Sequence, residues 1–91
     1  MADWFVYVIR CRDDSLYTGV TTDVARRFAE HSAGGARAAR YLRGRGPLAL
    51  VFSRPVGSRS EALSLERRIK SWPRERKLLF IADYQTGATN S

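Results

Sequence analysis

Two tyrosines ten residues apart, Tyr7 and Tyr17, lie in the stretch YVIRCRDDSLYTG, a pattern that predicts two short strands joined by a polar turn. A phenol can orient or deprotonate water, although its ordinary pKa of about 10 calls for a neighbouring cation or base. Side chains alternate along strands, so both phenols share one face only in some registers. A three-residue loop over residues 12–14 pairs Tyr7 with Gly19 and puts both phenols on one side, whereas a two-residue turn separates them unless a bulge intervenes.

Three other residues could act on a phosphate or a metal ion. Arg27 and His31 stand four residues apart on the border between the apolar and polar faces of a predicted helix, and His31 is the only histidine. A solvated basic helix edge is the competing interpretation of this pair. Glu66 lies beside the apolar stripe of a second predicted helix, where an unpaired carboxylate is costly. It could bind a metal, or pair with Lys70 at i+4 for about 0.2–0.5 kcal/mol.

A basic segment without acidic residues separates these two helices. It carries four arginines and one tyrosine: Arg37, Arg40, Tyr41, Arg43 and Arg45. Such a segment can follow a phosphate backbone and stack one base on its aromatic ring, which makes it a candidate nucleic-acid-binding surface. A solvated flexible loop is the alternative.

The composition is that of a globular chain with a strong positive charge. Of 91 residues, 44% are hydrophobic and 27% are charged, which indicates one folded domain rather than a disordered chain. Sixteen Lys and Arg against nine Asp and Glu give +7, a charge that attracts polyanions such as nucleic acid. The longest apolar run, Trp4 to Ile9, is too short to span a membrane. The lone cysteine, Cys11, and the lack of a signal-peptide pattern predict a cytoplasmic protein.

The order of predicted elements is β-β-α-β-α-α, within a single domain over residues 1–84 that is followed by a polar tail over 85–91. Strands are predicted over residues 4–11, 16–20 and 48–56, and helices over 23–32, 58–71 and 74–84. This order indicates an α/β (α+β) fold in which helices flank a mostly antiparallel three-stranded sheet. Pro55 predicts either an edge position or a strand end for the third strand, and Ser58 with Glu61 forms a capping box for the second helix.

Helical spacing predicts which side of each helix is buried. The first helix presents one apolar face: Val24, Ala25, Phe28 and Ala29. The second presents another: Ala62, Leu65, Ile69 and Trp72. Arg26 and Glu30 then face water, on the far side of the first helix.

In their order along the chain, these pieces resemble the GIY-YIG nuclease superfamily. The pieces are Phe5-Val6-Tyr7, Tyr17-Thr18-Gly19, Arg27, His31 and Glu66 in EALSLERRIK. The stretch LYTGVTTDVARRFAEH is similar to the small stand-alone bacterial branch, and the resemblance extends from residue 4 to about 80. It implies a three-stranded sheet flanked by helices and hydrolysis of DNA phosphodiester bonds with one divalent metal, Mg2+ or Mn2+.

The resemblance also implies roles for single residues around one cleft. Glu66 would hold the metal ion, with water at its remaining coordination positions. Arg27 would bring a fixed cation to the scissile phosphate. Tyr7 would orient or deprotonate the attacking water with help from His31, which matches a histidine that some members use, and Tyr17 would orient water or phosphate.

Two departures from the family pattern separate the functional hypotheses. The first motif lacks its glycine, and no asparagine occurs between Glu66 and Asn90, where many catalytic members carry one. The leading hypothesis is a metal-dependent DNA endonuclease, compatible with structure-selective or weak activity. The missing asparagine favours the alternative, a catalytically impaired module of the same fold that binds DNA or RNA. A small basic RNA-associated protein is the third hypothesis, supported by charge alone.

Overall fold

The computed structural model describes the backbone of residues 3–90 and the side chains of residues 3–84. Its elements are β1 (Trp4–Arg10), β2 (Leu16–Thr21), α1 (Val24–Ala33), β3 (Ala49–Gly57), α2 (Arg59–Ser71) and α3 (Arg74–Asn90). The predicted order β-β-α-β-α-α is confirmed. Residues 34–47, here called the strap, join α1 to β3 and contain one 3-10 turn, Arg40–Leu42.

The sheet has the order β2-β1-β3, and both strand pairs are antiparallel. The central strand β1 is buried from Val6 to Ile9 because both of its faces are covered. β3 is an edge strand, the first of the two positions that Pro55 predicts. The three-stranded antiparallel sheet flanked by helices is therefore confirmed.

The turn between β1 and β2 sets the register of the two tyrosines. The Cys11 amide donates to the Ser15 carbonyl at 2.9 Å, so three residues form the loop. Asp14 adopts a left-handed conformation, with φ of 66°, which is typical of three-residue hairpin loops. Tyr7 pairs with Gly19 and Ile9 with Tyr17, so both phenols lie on one face of the sheet.

The two faces of the sheet are covered by different elements. On one face, Tyr7 and Ile9 pack with Phe28 of α1 and Leu42 of the strap. On the other face, β1 and β3 pack against α2 and α3 through an apolar cluster: Val6, Val8, Phe52, Ala62, Ile69 and Ile81. The predicted buried stripe of the second helix is confirmed, since Ala62 and Ile69 are buried.

The predicted orientation of the first helix is wrong. Ala25 and Ala29 are exposed, whereas His31, predicted on the border, is 1% exposed and lies at the centre of the packed face. Glu30, predicted to face water, is half-buried. The helix is rotated because the polar atoms of the buried His31 find hydrogen-bond partners in the sheet and the strap, which removes the usual cost of burial.

Two boundaries also differ from the predictions. Helix α3 runs to Asn90 rather than ending near residue 84, so it includes most of the segment that was predicted as a polar tail. The strap packs against β1 and α1, with Ala38 and Leu42 buried, and is not a solvated flexible loop. Among the described residues, no helix is both long and apolar enough to cross a lipid bilayer.

Candidate active site

Tyr7 lies at the centre of a cluster of polar side chains on the face covered by α1. Its ring passes over Gly19, where an added Cβ would stand 2.5 Å from the Tyr7 hydroxyl oxygen. Only glycine leaves room for the phenol at this position of β2. The last residue of Tyr17-Thr18-Gly19 is therefore explained by a contact with the first motif tyrosine.

His31 contacts both tyrosines. Its Nε2 atom lies 2.8 Å from the Tyr7 hydroxyl oxygen, and its ring centroid is 5.6 Å from that of Tyr17. Its Nδ1 atom accepts a hydrogen bond of 3.1 Å from the backbone amide of Ala39 in the strap. Burial and the nearby Arg27 cation lower the pKa of His31, so the ring is neutral at pH 7.

The Tyr7 hydroxyl is protonated at neutral pH. Burial is the main cause that raises the pKa of Tyr7 to about 12, and the neighbouring Tyr17 adds to it. The Arg27 cation acts in the opposite direction through its charge and hydrogen bonding, while the charge of Glu66 raises the pKa further. Arg27 and Glu66 thus shift the pKa of the phenol in opposite directions, and Glu66 has the smallest effect of these groups.

Arg27 is held in place by an acidic side chain and by the strap. Its Nη1 atom donates to Glu30 Oε1 at 3.1 Å and to the Arg37 carbonyl oxygen at 2.6 Å. Burial would lower the pKa of Arg27, but the hydrogen bond to Glu30 and the proximity of Tyr7 outweigh it and raise the value. Glu30 also pairs with Arg26 and Arg37, so it organises three cations at the entrance to the cluster.

A second row of contacts extends from Tyr17 toward the solvent. The ring of Tyr17 stacks on Tyr41 with centroids 6.0 Å apart, and the Arg45 guanidinium lies 4.4 Å from the Tyr41 centroid. Asp13, in the hairpin loop, accepts a 2.6 Å hydrogen bond from Arg45. A base that stacked on Tyr41, as the sequence predicts, would compete with ring contacts that already exist.

The end of this row opens into a basic cavity of about 320 Å³. Its charged lining comes from Arg12, Asp13, Arg43 and Arg45. Two of the four arginines of the predicted binding surface form ion pairs within the protein, Arg45 with Asp13 and Arg37 with Glu30. Arg12 is a lining residue that the sequence patterns missed, because it belongs to the hairpin loop rather than to the basic segment.

Glu66 approaches the cluster from the other side of the sheet. It belongs to α2, which packs against β1 and β2 on the face opposite to Tyr7. Its side chain is 15% exposed and forms an ion pair of 3.3 Å with Lys70. Among the side chains of residues 3–84, no hydrogen bond or ion pair links Glu66 directly to the tyrosines, Arg27 or His31. The charge of Glu66 makes the smallest of the contributions that shift the pKa of Tyr7.

The structure thus brings together four of the five predicted catalytic residues and leaves the fifth, Glu66, on a helix that packs against the opposite face of the sheet. One group is formed by Tyr7, Tyr17, Arg27 and His31. The sequence predicts His31 on the border between the two helix faces, but the structure buries it at the centre of this group. Two contributors were missed. Glu30 sits at i+3 from Arg27, a spacing that could have indicated an ion pair. The amide of Ala39 carries no sequence signal, since any residue other than proline supplies one.

Comparison with known proteins places this geometry in a family context. The sequence model described as the GIY-YIG catalytic domain matches residues 3–78. A UPF0213 protein of Cronobacter sakazakii is 57% identical over 82 residues, which cover 90% of this chain and 84% of that protein. The UPF0213 protein YhbQ of Escherichia coli K12 is 49% identical over 83 residues, covering 91% and 81%. These names state no activity.

Two solved structures have the same architecture. The solution structure of a UPF0213 protein from Bacillus halodurans is 40% identical, with a TM-score of 0.57 over 88% of this chain and 83% of that chain. The solution structure of a protein from E. faecalis is 31% identical, with a TM-score of 0.66 over 94% and 90%. The order of strands and helices in these structures agrees with the elements described above.

Proposed function

Because the chain belongs to the GIY-YIG catalytic-domain family, we propose that it is a metal-dependent endonuclease that hydrolyses phosphodiester bonds in DNA. The observation that carries the proposal is the convergence of Tyr7, Tyr17, Arg27 and His31 on one side of the sheet. These residues come from three consecutive elements, β1, β2 and α1, which fold so that their side chains meet. Core packing alone does not call for a cation and a histidine beside two phenols.

The cluster supplies donors and a cation for a phosphate. Both hydrogen bonds that fix Arg27 use Nη1, so Nη2 and Nε remain to serve Tyr7 and the phosphoryl oxygens. The Tyr7 hydroxyl, with its pKa of about 12, orients the attacking water by hydrogen bonding in its protonated form. Tyr17, on the same face, limits where the water and the phosphate can lie.

The residues present fit a divalent ion of the magnesium type. Within the side chains of residues 3–84, no group of three or more His, Cys, Asp or Glu could form a complete ligand set. His31 is excluded because both of its nitrogens already have partners. Mg2+ commonly takes only one or two protein carboxylates and keeps water and substrate phosphate as its other ligands, which a single Glu66 can satisfy. When bound there, Mg2+ or Mn2+ would neutralise charge on the phosphate and on the leaving 3′ oxygen.

The basic surface supports DNA as the partner. Arg12 and Arg43 line the cavity beside Tyr41, so a strand that crosses the cluster could place a neighbouring phosphate there. The binding module without turnover remains the second candidate, because the chain has no asparagine between Glu66 and Asn90. The buried Cys11 makes a reducing compartment, the cytoplasm, the proposed location.

A cleavage assay separates the two candidates. Single-stranded, duplex, flap and branched DNA would be incubated with the protein in Mg2+, in Mn2+ and in a chelator. We expect metal-dependent cleavage of at least one substrate, abolished in Arg27→Ala and strongly reduced in Tyr7→Phe, with DNA binding largely kept in Tyr7→Phe. Binding of DNA without cleavage of any substrate in either metal would refute the endonuclease and leave the binding module.

A further inference from the structure

We propose that the backbone amide of Ala39 is a positioning group that fixes His31 in its Nε2–H tautomer, so that His31 donates a hydrogen bond to Tyr7 and cannot take its proton. The relevance of this tautomer to cleavage rests on the proposed function. The tautomer itself is a property of the free protein and can be measured without DNA or metal.

The assignment follows from the two contacts of the imidazole ring. A backbone amide can only donate, so the 3.1 Å contact from Ala39 requires a lone pair on Nδ1. A neutral imidazole carries one proton, which must then be on Nε2. Nε2 lies 2.8 Å from the Tyr7 oxygen and therefore donates to it.

The charged form of His31 conflicts with the same geometry. A proton on Nδ1 would point at the Ala39 amide proton, and two donors would face each other at 3.1 Å around a buried ring. His31 can accept the Tyr7 proton only through Nε2, which already carries one, or after its contact with the strap has broken. The strap thus excludes His31 as a base for Tyr7.

The consequence for Tyr7 concerns the direction of its own proton. Its oxygen receives Nε2–H from His31 and lies close to the Arg27 cation, so the hydroxyl proton is directed away from both. If Tyr7 is to take a proton from the attacking water, its own proton must first pass to solvent. The water proton then moves to the phenolate oxygen while the hydroxide forms the new bond to phosphorus. The bond to the 3′ oxygen breaks, and that oxygen leaves with the bonding electrons and takes a proton from solvent.

The substitution Ala39→Pro tests the assignment. Ala39 has φ of −59°, which matches the φ that proline imposes, so the change removes the amide proton and suits the local backbone angle. Ala39→Gly is the matched control, because it alters the same side chain and keeps the amide proton. The measurement is the 15N NMR spectrum of the His31 ring at neutral pH, which a single histidine makes free of overlap.

We expect the wild type and Ala39→Gly to show a protonated Nε2 and an unprotonated Nδ1, and Ala39→Pro to lose that fixed state. A wild-type spectrum with a protonated Nδ1, or with averaged nitrogen shifts, would overturn the assignment even if Ala39→Pro did not fold. An unchanged tautomer in folded Ala39→Pro would overturn the role of the amide.

Cleavage kinetics extend the test to the proposed function. We expect Ala39→Pro to lower kcat by up to about a hundredfold, the lower end of the range for losing a proton-transfer group such as a correctly positioned Tyr7, with little change in KM for DNA. Equal kcat values in Ala39→Pro and Ala39→Gly would refute a role of the tautomer in turnover. The expected NMR result together with no cleavage by any form would support the tautomer and refute the endonuclease, so the two claims fail separately.

Discussion

The contact between Gly19 and Tyr7 determines where the phenol stands. We expect Gly19→Ala to displace the Tyr7 ring, since a Cβ at 2.5 Å from its oxygen leaves no room. Overpacking of this kind costs about 1–3 kcal/mol of unfolding free energy, measurable by urea denaturation. Gly35→Ala is the control, because nothing lies within 4 Å of the added Cβ there. Equal stability of the two variants would show that Tyr7 does not occupy the space over Gly19.

The buried neutral His31 predicts a loss of stability in mild acid. Its pKa is lowered in the folded state, so below about pH 6.5 the unfolded chain binds the proton that the folded chain refuses. The free energy of unfolding should therefore fall between about pH 7 and 5, with a slope of at most about 1.4 kcal/mol per pH unit. His31→Gln should flatten this slope in urea denaturation. A wild-type curve that is level over this range would contradict the burial of a neutral ring.

The sequence predicts which residues form the candidate site better than it predicts how deeply they are buried and what they contact. The motif spacing picks out Tyr7, Tyr17, Arg27 and His31, whereas the shared face of the two tyrosines depends on a loop length that the sequence leaves open and the structure gives as three residues. The burial of His31 was not predictable from periodicity, because a helix can rotate toward any face whose polar atoms find partners, whereas the i+3 spacing of Glu30 from Arg27 does indicate their ion pair.

At the scale of elements, the strap joins the basic surface to the chemical groups. It accepts a hydrogen bond from Arg27 and donates one to His31, while it carries Arg43 into the basic cavity. Its composition of Gly, Ala and Arg gives little indication of structure, since its order comes from contacts with α1 rather than from local propensity. By contrast, the apolar spacing of α2 is enough to predict its buried stripe.

The basic cavity between the hairpin loop and the strap allows a prediction of how salt affects DNA binding. The double variant Arg12→Gln/Arg43→Gln removes two charges from the cavity and should reduce the slope of log K against log salt by up to about 1.8, or about 0.9 for each phosphate contact. The variant Arg67→Gln/Arg68→Gln removes the same charge from α2 and should change the slope little. Filter-binding titrations from about 50 to 200 mM salt measure both. Equal slopes in the two double variants would show that net charge, not the cavity, attracts DNA.

At the scale of the whole molecule, the hydrophobic patterns were sufficient to predict the α+β fold. Three strands, three helices and a hairpin with a defined loop leave few arrangements of 91 residues, and the antiparallel sheet is one of them. The distance between side chains on opposite faces of the sheet was not predictable from the sequence. Glu66 and Tyr7 belong to different layers, and only the packing of α2 against β2 determines how near they come.

The central claim therefore concerns the role of the Glu66 carboxylate, which either holds a metal ion or only forms the helix ion pair with Lys70. Glu66→Gln keeps the shape of the side chain and removes the charge that would hold a divalent ion. Lys70→Gln breaks the same 3.3 Å ion pair and leaves the carboxylate in place. Either substitution should lower the unfolding free energy by no more than about 1 kcal/mol, the range of partly exposed pairs.

The most direct test is the rate of DNA cleavage as a function of Mg2+ concentration in the wild type and these two variants. We predict that Glu66→Gln abolishes cleavage at every Mg2+ concentration, whereas Lys70→Gln cleaves at a lower Mg2+ concentration because the cation no longer competes for the carboxylate. Cleavage by Glu66→Gln at the wild-type rate would contradict the account and reduce Glu66 to the partner of Lys70.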